Sequence, residues 1–198
     1  DIQLRNAATI ASQTFGSGNA GAIYIIGGSI QSNSSAEGTL SENSETVTLT
    51  SRSGFGGADG TDANFGAAGD LWISGDSILL ANTGLEASTG SDRIENKVAQ
   101  ILIFTHEEGR LTLEESLSLG VSDMRGEGDI GDLTILNSVL ETSTLGASDA
   151  GNIFLSGKEF HVGAGTKIKS EAFASGEAGF LNLAAKSLTV DSSLIRVS

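Results

Sequence analysis

Gly151-Asn152-Ile153-Phe154-Leu155-Ser156-Gly157-Lys158-Glu159-Phe160-His161-Val162 is answered, from Gly179 on, by Gly179-Phe180-Leu181-Asn182-Leu183-Ala184-Ala185-Lys186-Ser187-Leu188-Thr189-Val190. Ile153, Leu155, Phe160 and Val162 map onto Leu181, Leu183, Leu188 and Val190 at one fixed offset. The opening phrase of this unit also stands at Gly18-Asn19-Ala20-Gly21-Ala22-Ile23-Tyr24-Ile25, at Gly128-Asp129-Ile130-Gly131-Asp132-Leu133-Thr134-Ile135, and at Ser148-Asp149-Ala150-Gly151. A constant period carried by short alternating apolar segments is the signature of stacked repeats.

Working outward from that unit, period-2 alternation dominates: Leu71/Ile73, Ile78/Leu80, Leu111/Leu113, Leu117/Leu119, Leu133/Ile135 and the pairs above each enclose one residue that points the other way. These are short strands with one buried face. Aligned, they give a first strand after the Gly (Ile23/Ile25, Leu71/Ile73, Ile101/Ile103, Leu133/Ile135, Ile153/Leu155, Leu181/Leu183) and a second about seven residues later (Ile30, Ile78/Leu80, Phe160/Val162, Leu188/Val190). A third strand contributes Ile10, Leu85, Leu119, Leu140, Ile168 and Ile195. Phe15, Met124, Leu145 and Phe173 follow the third position by five residues and read as plugs packed into the corners. The recurrent glycines read as corner residues with φ > 0. The expected fold is therefore all-β, a right-handed parallel β-helix (solenoid) of about seven coils with three short strands per coil, one segment over 1–198. Irregular loops are expected at about 31–70, where Val47 and Leu49 offer an extra coil, and at 86–99. Ile94, Val98, Ile101 and Phe104 would share one face of a helical turn between Ser91 and Thr105.

Eleven basic residues against twenty-five acidic ones give a formal charge of -14. A surface of that sign repels a duplex or an anionic bilayer, so nucleic acid is not an expected partner. Without cysteine there is neither a disulfide frame nor a thiolate metal site. No apolar run reaches the ~20 residues of a membrane-spanning helix. Asp1 at one end and Leu194-Ile195-Arg196-Val197-Ser198 at the other, a strand in progress, read as an excised piece of a longer protein.

The run Ile2-Gln3-Leu4-Arg5-Asn6-Ala7-Ala8-Thr9-Ile10-Ala11-Ser12-Gln13-Thr14-Phe15-Gly16-Ser17-Gly18-Asn19-Ala20-Gly21, with Gly69 to Thr89 and Asn137 to Leu155, resembles the repeats of filamentous haemagglutinin-like exoproteins of the two-partner secretion type, most closely the cyanobacterial ones. The resemblance implies a secreted or cell-surface shaft, exported through an outer-membrane secretion partner. It supplies no catalytic motif, and the asparagine-rich signature of the family's secretion domain is not among these residues. The function expected is a structural shaft segment of an adhesin-like exoprotein that mediates attachment or extracellular assembly. Expected partners are neighbouring coils of a longer parent chain or end-to-end copies, together with surface glycans or receptors.

Candidate chemistry is sparse. His161 lies between Phe160 and Val162 and so points away from the core, while His106 sits in the polar bend Thr105-His106-Glu107-Glu108-Gly109. Neither has a spaced partner of the kind a catalytic histidine needs. A polysaccharide-acting enzyme would line one strand face with carboxylates. The outward positions Tyr24, Trp72, Thr112, Thr134, Phe154 and Asn182 carry none. Calcium has two weak footholds, Gly56-Gly57-Ala58-Asp59-Gly60-Thr61-Asp62 and the group Asp123, Glu127, Asp129 and Asp132, each more simply read as a solvated acidic bend. Thr46, Thr48 and Thr50 read as an ordinary surface strand. Tyr24, Trp72 and Phe154 read as a packed aromatic seam, with a carbohydrate-contacting stripe as the alternative. No catalytic, cofactor-binding or metal residue is assigned. The alternative functions are a β-helix carbohydrate-binding or polysaccharide-acting protein, and a calcium-stabilised or filament-forming module.

Overall fold

The computed structural model describes residues 1–15, 18–32, 46–54, 66–90, 99–105 and 131–198. They form fifteen strands and, among the described residues, no helix. In chain order the strands are β1 (Ile2–Leu4), β2 (Thr9–Thr14), β3 (Ile23–Ser32), β4 (Val47–Ser53), β5 (Leu71–Ala81), β6 (Thr83–Thr89), β7 (Ile101–Thr105), β8 (Leu133–Leu136), β9 (Val139–Thr144), β10 (Ile153–Ser156), β11 (Glu159–Val162), β12 (Lys167–Ala172), β13 (Leu181–Ala184), β14 (Ser187–Val190) and β15 (Leu194–Val197).

Every pairing is parallel, but the strands do not divide as the sequence suggested. They make two separate sheets and not a three-strand-per-coil β-helix. Sheet A has nine strands, and its path β13-β10-β7-β5-β8-β11-β14 curls into a half-barrel of seven, with β3 and β1 off that path. Sheet B has six strands in the order β15-β12-β9-β6-β4-β2. The cause lies in β3 and β5. Each runs unbroken for ten or eleven residues through what the sequence presents as two strands and a corner. On one side of β5, β3 pairs along the length from Leu71 to Leu80; on the other, β7 takes the first half (Leu71 to Gly75) and β8 the second (Ile78 to Ala81). First and second strands thus belong to one bent surface.

Register places each repeat over the last. Ile153 pairs with both Ile101 and Leu181, and Phe160 with both Leu133 and Leu188. Sheet B aligns Ile10, Leu49, Leu85, Leu140, Ile168 and Ile195 in a single column across six tiers. Leu49 stands between Ile10 and Leu85, and Leu85 meets Leu140 directly; Leu119, expected between those two, lies outside the described residues. Leu133 and Ile135 change class: they stand against Ile78 and Leu80, in the second-strand column, although their local phrase copies that of the first. The aliphatic core lies between the concave side of sheet A and sheet B. Ile30, Leu80, Ile101, Leu133, Leu140 and Ile153 are fully buried there. Each such side chain contributes about 1.5–3 kcal/mol of transfer free energy.

Two further expectations are corrected. Phe15, Leu145 and Phe173 do not plug corners, since they are 67%, 54% and 59% exposed; Met124 lies outside the described residues. They follow the inward positions Thr14, Thr144 and Ala172 directly, at the ends of sheet B strands, and so fall on the outside. The phrase glycines are not left-handed either. A β-carbon at Gly69 would stand 2.3 Å from the Gly21 carbonyl oxygen, one at Gly179 2.1 Å from that of Gly151, and one at Gly151 1.6 Å from that of Ala99. Close stacking of one tier's backbone on the next selects glycine there. Positive φ falls instead on Asn6, Ala7, Asn82, Asn137, Gly165 and Ser192, in or next to the bend between the second and third strands. Gly54 also has positive φ, just after β4.

Candidate functional site

The glycine columns are held by hydroxyl groups from sheet B. Ser170 Oγ donates to the Gly151 carbonyl at 2.9 Å and accepts the Gly179 N–H at 2.9 Å. Thr142 Oγ1 donates to the same carbonyl at 2.6 Å. Two and three tiers before Thr142, Ser51 accepts from Gly69 N–H at 2.7 Å and Ser12 from Gly21 N–H at 2.7 Å. These hydroxyls fasten the bends that lead into sheet A to the strands of sheet B, and at the buried Gly151 carbonyl they satisfy a backbone group that burial would otherwise strand. A Ser or Thr nine residues before the phrase glycine, as in Ser12, Thr142 and Ser170, was the available signal in the sequence.

On the outer face of sheet A the column Tyr24, Trp72, Leu102, Phe154, Asn182 runs along the first strands. Trp72, Leu102, Phe104 and Phe154 form a second buried cluster, distinct from the core. Trp72 meets Phe104 edge-on at 4.9 Å and Tyr24 at 6.3 Å, while Phe154 meets Phe180 edge-on at 5.1 Å. The aromatic column is thus packed at its centre, and only Tyr24 and Phe180 are exposed at its ends. Leu102 and Phe104 escaped the alternation count. Their signal is the uninterrupted run Ile101-Leu102-Ile103-Phe104, which marks a strand buried on both faces. Trp72 Nε1 and Ser74 Oγ are buried there without a hydrogen-bond partner.

The other arm of sheet A is polar outside. His161 is half-buried between Thr134 and Thr189, and a shallow hollow of about 130 Å³ is lined by Ser29, Gln31, Ser77, Asp132 and Thr134 with Leu79. Asp132 is exposed, while its sequence companions Asp123, Glu127 and Asp129 lie outside the described residues, as do His106, Thr112 and the segment 56–62. Among the described residues no group of three or more His, Asp or Glu side chains is placed to hold a metal ion.

Sheet B carries a ladder of charge on its outer face. Arg52 pairs with Glu86 through both carboxylate oxygens, and Ser88 donates to Glu86 at 2.6 Å. Lys169 lies between Glu141 at 3.6 Å and Glu171 at 3.3 Å, and Arg196 pairs with Glu171 from the next tier. Glu171 is buried. Thr48 and Thr50 share this face, Thr50 buried in it and Thr46 exposed beyond the strand. In all, the described outer faces offer hydroxyl, amide and paired ionic groups.

No protein-family model matches the chain, and no curated protein or solved structure matches it significantly.

Proposed function

We propose that this chain is a structural and adhesive segment of a secreted or cell-surface exoprotein, presenting its outer faces to surface glycans, receptors or neighbouring molecules. The observation that carries the reading is the continuous parallel register. Six tiers of sheet B keep one aliphatic column, each tier is hydrogen-bonded to the next through backbone, and the hydroxyls of Ser12, Ser51, Thr142 and Ser170 add clasps at four of them. Such stacking makes stiffness and surface the molecule's principal products. The repeat phrase's likeness to two-partner exoproteins adds the extracellular setting, and the acidic surface favours solubility in it. The polysaccharide-acting alternative would need two facing carboxylates for glycoside hydrolysis, and among the described residues the polar hollow beside Asp132 is lined by one.

The test is mechanical and chemical together. Single-molecule pulling from the two ends should show stepwise release of tiers at high force, each step lengthening the chain by roughly 100 to 180 Å at ~3.5 Å per residue, because stacked strands lie from 28 to 52 residues apart. Incubation with polygalacturonate and alginate should release no reducing ends. Low-force unfolding in one step would remove the structural reading, and chain cleavage would replace it with an enzymatic one.

A further inference from the structure

We propose that the outer face of the polar arm of sheet A is a binding track for an extended, uncharged glycan chain that lies across the tiers, one sugar ring to each. This rests on the adhesive reading above and gives it a ligand class and a place. Four consecutive strands build the face, β3, β5, β8 and β11, and each of them is paired on both sides. Ile30, Ile78, Leu133 and Phe160 form one inward row, so the residues flanking each of them point outward. The outward residues make two columns, Ser29, Ser77, Asp132 and Glu159 in one, Gln31, Leu79, Thr134 and His161 in the other.

Three observations select this face and this occupant. First, its polar groups are uncommitted. Among the described residues, the side chains of Ser77, Asp132, Thr134, Glu159 and His161 make no hydrogen bond or ion pair, while Gln31 donates to Ser29 at 3.4 Å. On sheet B, by contrast, Arg52, Lys169 and Arg196 are engaged with glutamates, and the other arm of sheet A is filled by the packed cluster around Trp72. Second, the spacing fits a chain of rings. Tiers lie about 4.8 Å apart and the two columns about 7 Å, so each tier offers one ring two flanking side chains, and an extended β-linked pyranose chain advances by close to one tier per ring. The hollow lined by Ser29, Gln31, Ser77, Leu79, Asp132 and Thr134 lies on this path. Leu79 gives it an apolar surface for the C–H face of a ring. The hydroxyls and the Gln31 amide both donate and accept, and an ionised Asp132 accepts from sugar hydroxyls. Third, composition disfavours other occupants. Seven of the eight outward positions are polar, whereas the centre of a protein interface is apolar. With Asp132 and Glu159 on the track and a formal charge of -14 on the chain, uronate and sulfated glycans are repelled.

Amide NMR of the intact, isotopically labelled chain, titrated with cello-oligosaccharides, should show saturable shifts centred on Ser77, Leu79, Asp132 and Thr134, with affinity rising from cellobiose to cellotetraose. Maltotetraose, whose α-linked rings wind away from a straight line, and tetragalacturonate should each bind about tenfold more weakly. Asp132→Ala should weaken cellotetraose binding about tenfold and Leu79→Ala severalfold. Lys167→Ala, at an exposed position of sheet B, should leave it unchanged, and circular dichroism checks that all three variants keep the fold. Equal affinity for cellobiose and cellotetraose would overturn the lengthwise path. Tighter binding of tetragalacturonate would overturn the uncharged ligand, and shifts centred on another face, or none, would overturn the track itself. Stepwise release at high force without glycan binding would keep the structural role and remove the track; one-step release at low force with saturable shifts would do the reverse.

Discussion

The Gly151 α-carbon lies so close to the Ala99 carbonyl that a β-carbon there would be 1.6 Å from its oxygen. Backbone, and not a flexible side chain, is the obstacle. Gly151→Ala is therefore expected to separate the two tiers locally and to cost more than about 3 kcal/mol, at the extreme of single substitutions. Urea melts would check this; a loss under 1 kcal/mol would show that the tiers can part without penalty.

Ser170 spans two glycines, donating to one and accepting from the other. Its removal leaves the half-buried Gly179 N–H without that partner, while the Gly151 carbonyl keeps the Thr142 hydroxyl. Ser170→Ala should cost about 1–2 kcal/mol, whereas Ser170→Thr should be mild because Thr142 occupies the equivalent position one tier earlier and bonds the same carbonyl. Equal losses for the two variants would mean that the site responds to volume and not to the hydroxyl.

Ala7 holds φ at 55°, a conformation that costs a β-carbon roughly 1–2 kcal/mol. Glycine avoids that strain but loses about 0.5–1 kcal/mol of chain entropy. The balance favours Ala7→Gly, which should raise the melting temperature by one or two degrees, on a scale of about 2–4 °C per kcal/mol for a domain of this size. A lowered melting point would show that the bend next to Asn6 is held by something other than backbone preference.

Phe160 and Phe173 make an informative pair, one fully buried and the other mostly exposed. Phe160→Ala should cost about 3–5 kcal/mol through lost transfer energy and an unfilled cavity, while Phe173→Ser should stay within about 0.5 kcal/mol. Comparable losses in thermal melts would return Phe173 to the core.

Ser74 offers the opposite sign. Its hydroxyl is buried without a partner, so Ser74→Ala removes an unsatisfied group at almost no change in shape. A gain of about 1 kcal/mol is expected by calorimetry; a loss would reveal a partner for that hydroxyl.

Much of this architecture was legible because spacing survives folding. The offset linking Ile153 to Leu181 is a property of the chain, and parallel stacking follows once both residues need the same core. Where reading failed, distant structure decided. Gly27-Gly28 and Gly75 look like corners, yet the strands pass through them because Gly75 faces the Gly28 carbonyl, 2.6 Å from where its β-carbon would be. Nothing local distinguishes that glycine from one in a turn, and so two strands were counted where one exists. Leu133 repeats the first-strand phrase and is claimed by Ile78, since register is set by the available edge and not by the local motif. At the outer faces, spacing located Trp72 and Phe154 but could not show that Leu102 and Phe104 close over the gap between them.

The shared strand β5 has one more effect. Thr105 pairs with Gly75 and Leu133 with Ile78, so the chain that leaves at Thr105 returns only three positions further along the same strand. Both anchor points belong to one piece of backbone, about 10 Å apart. Register on this side of the sheet is thus fixed twice on one strand, at Gly75 and at Ile78, so that β7 and β8 cannot slip past each other without bending β5.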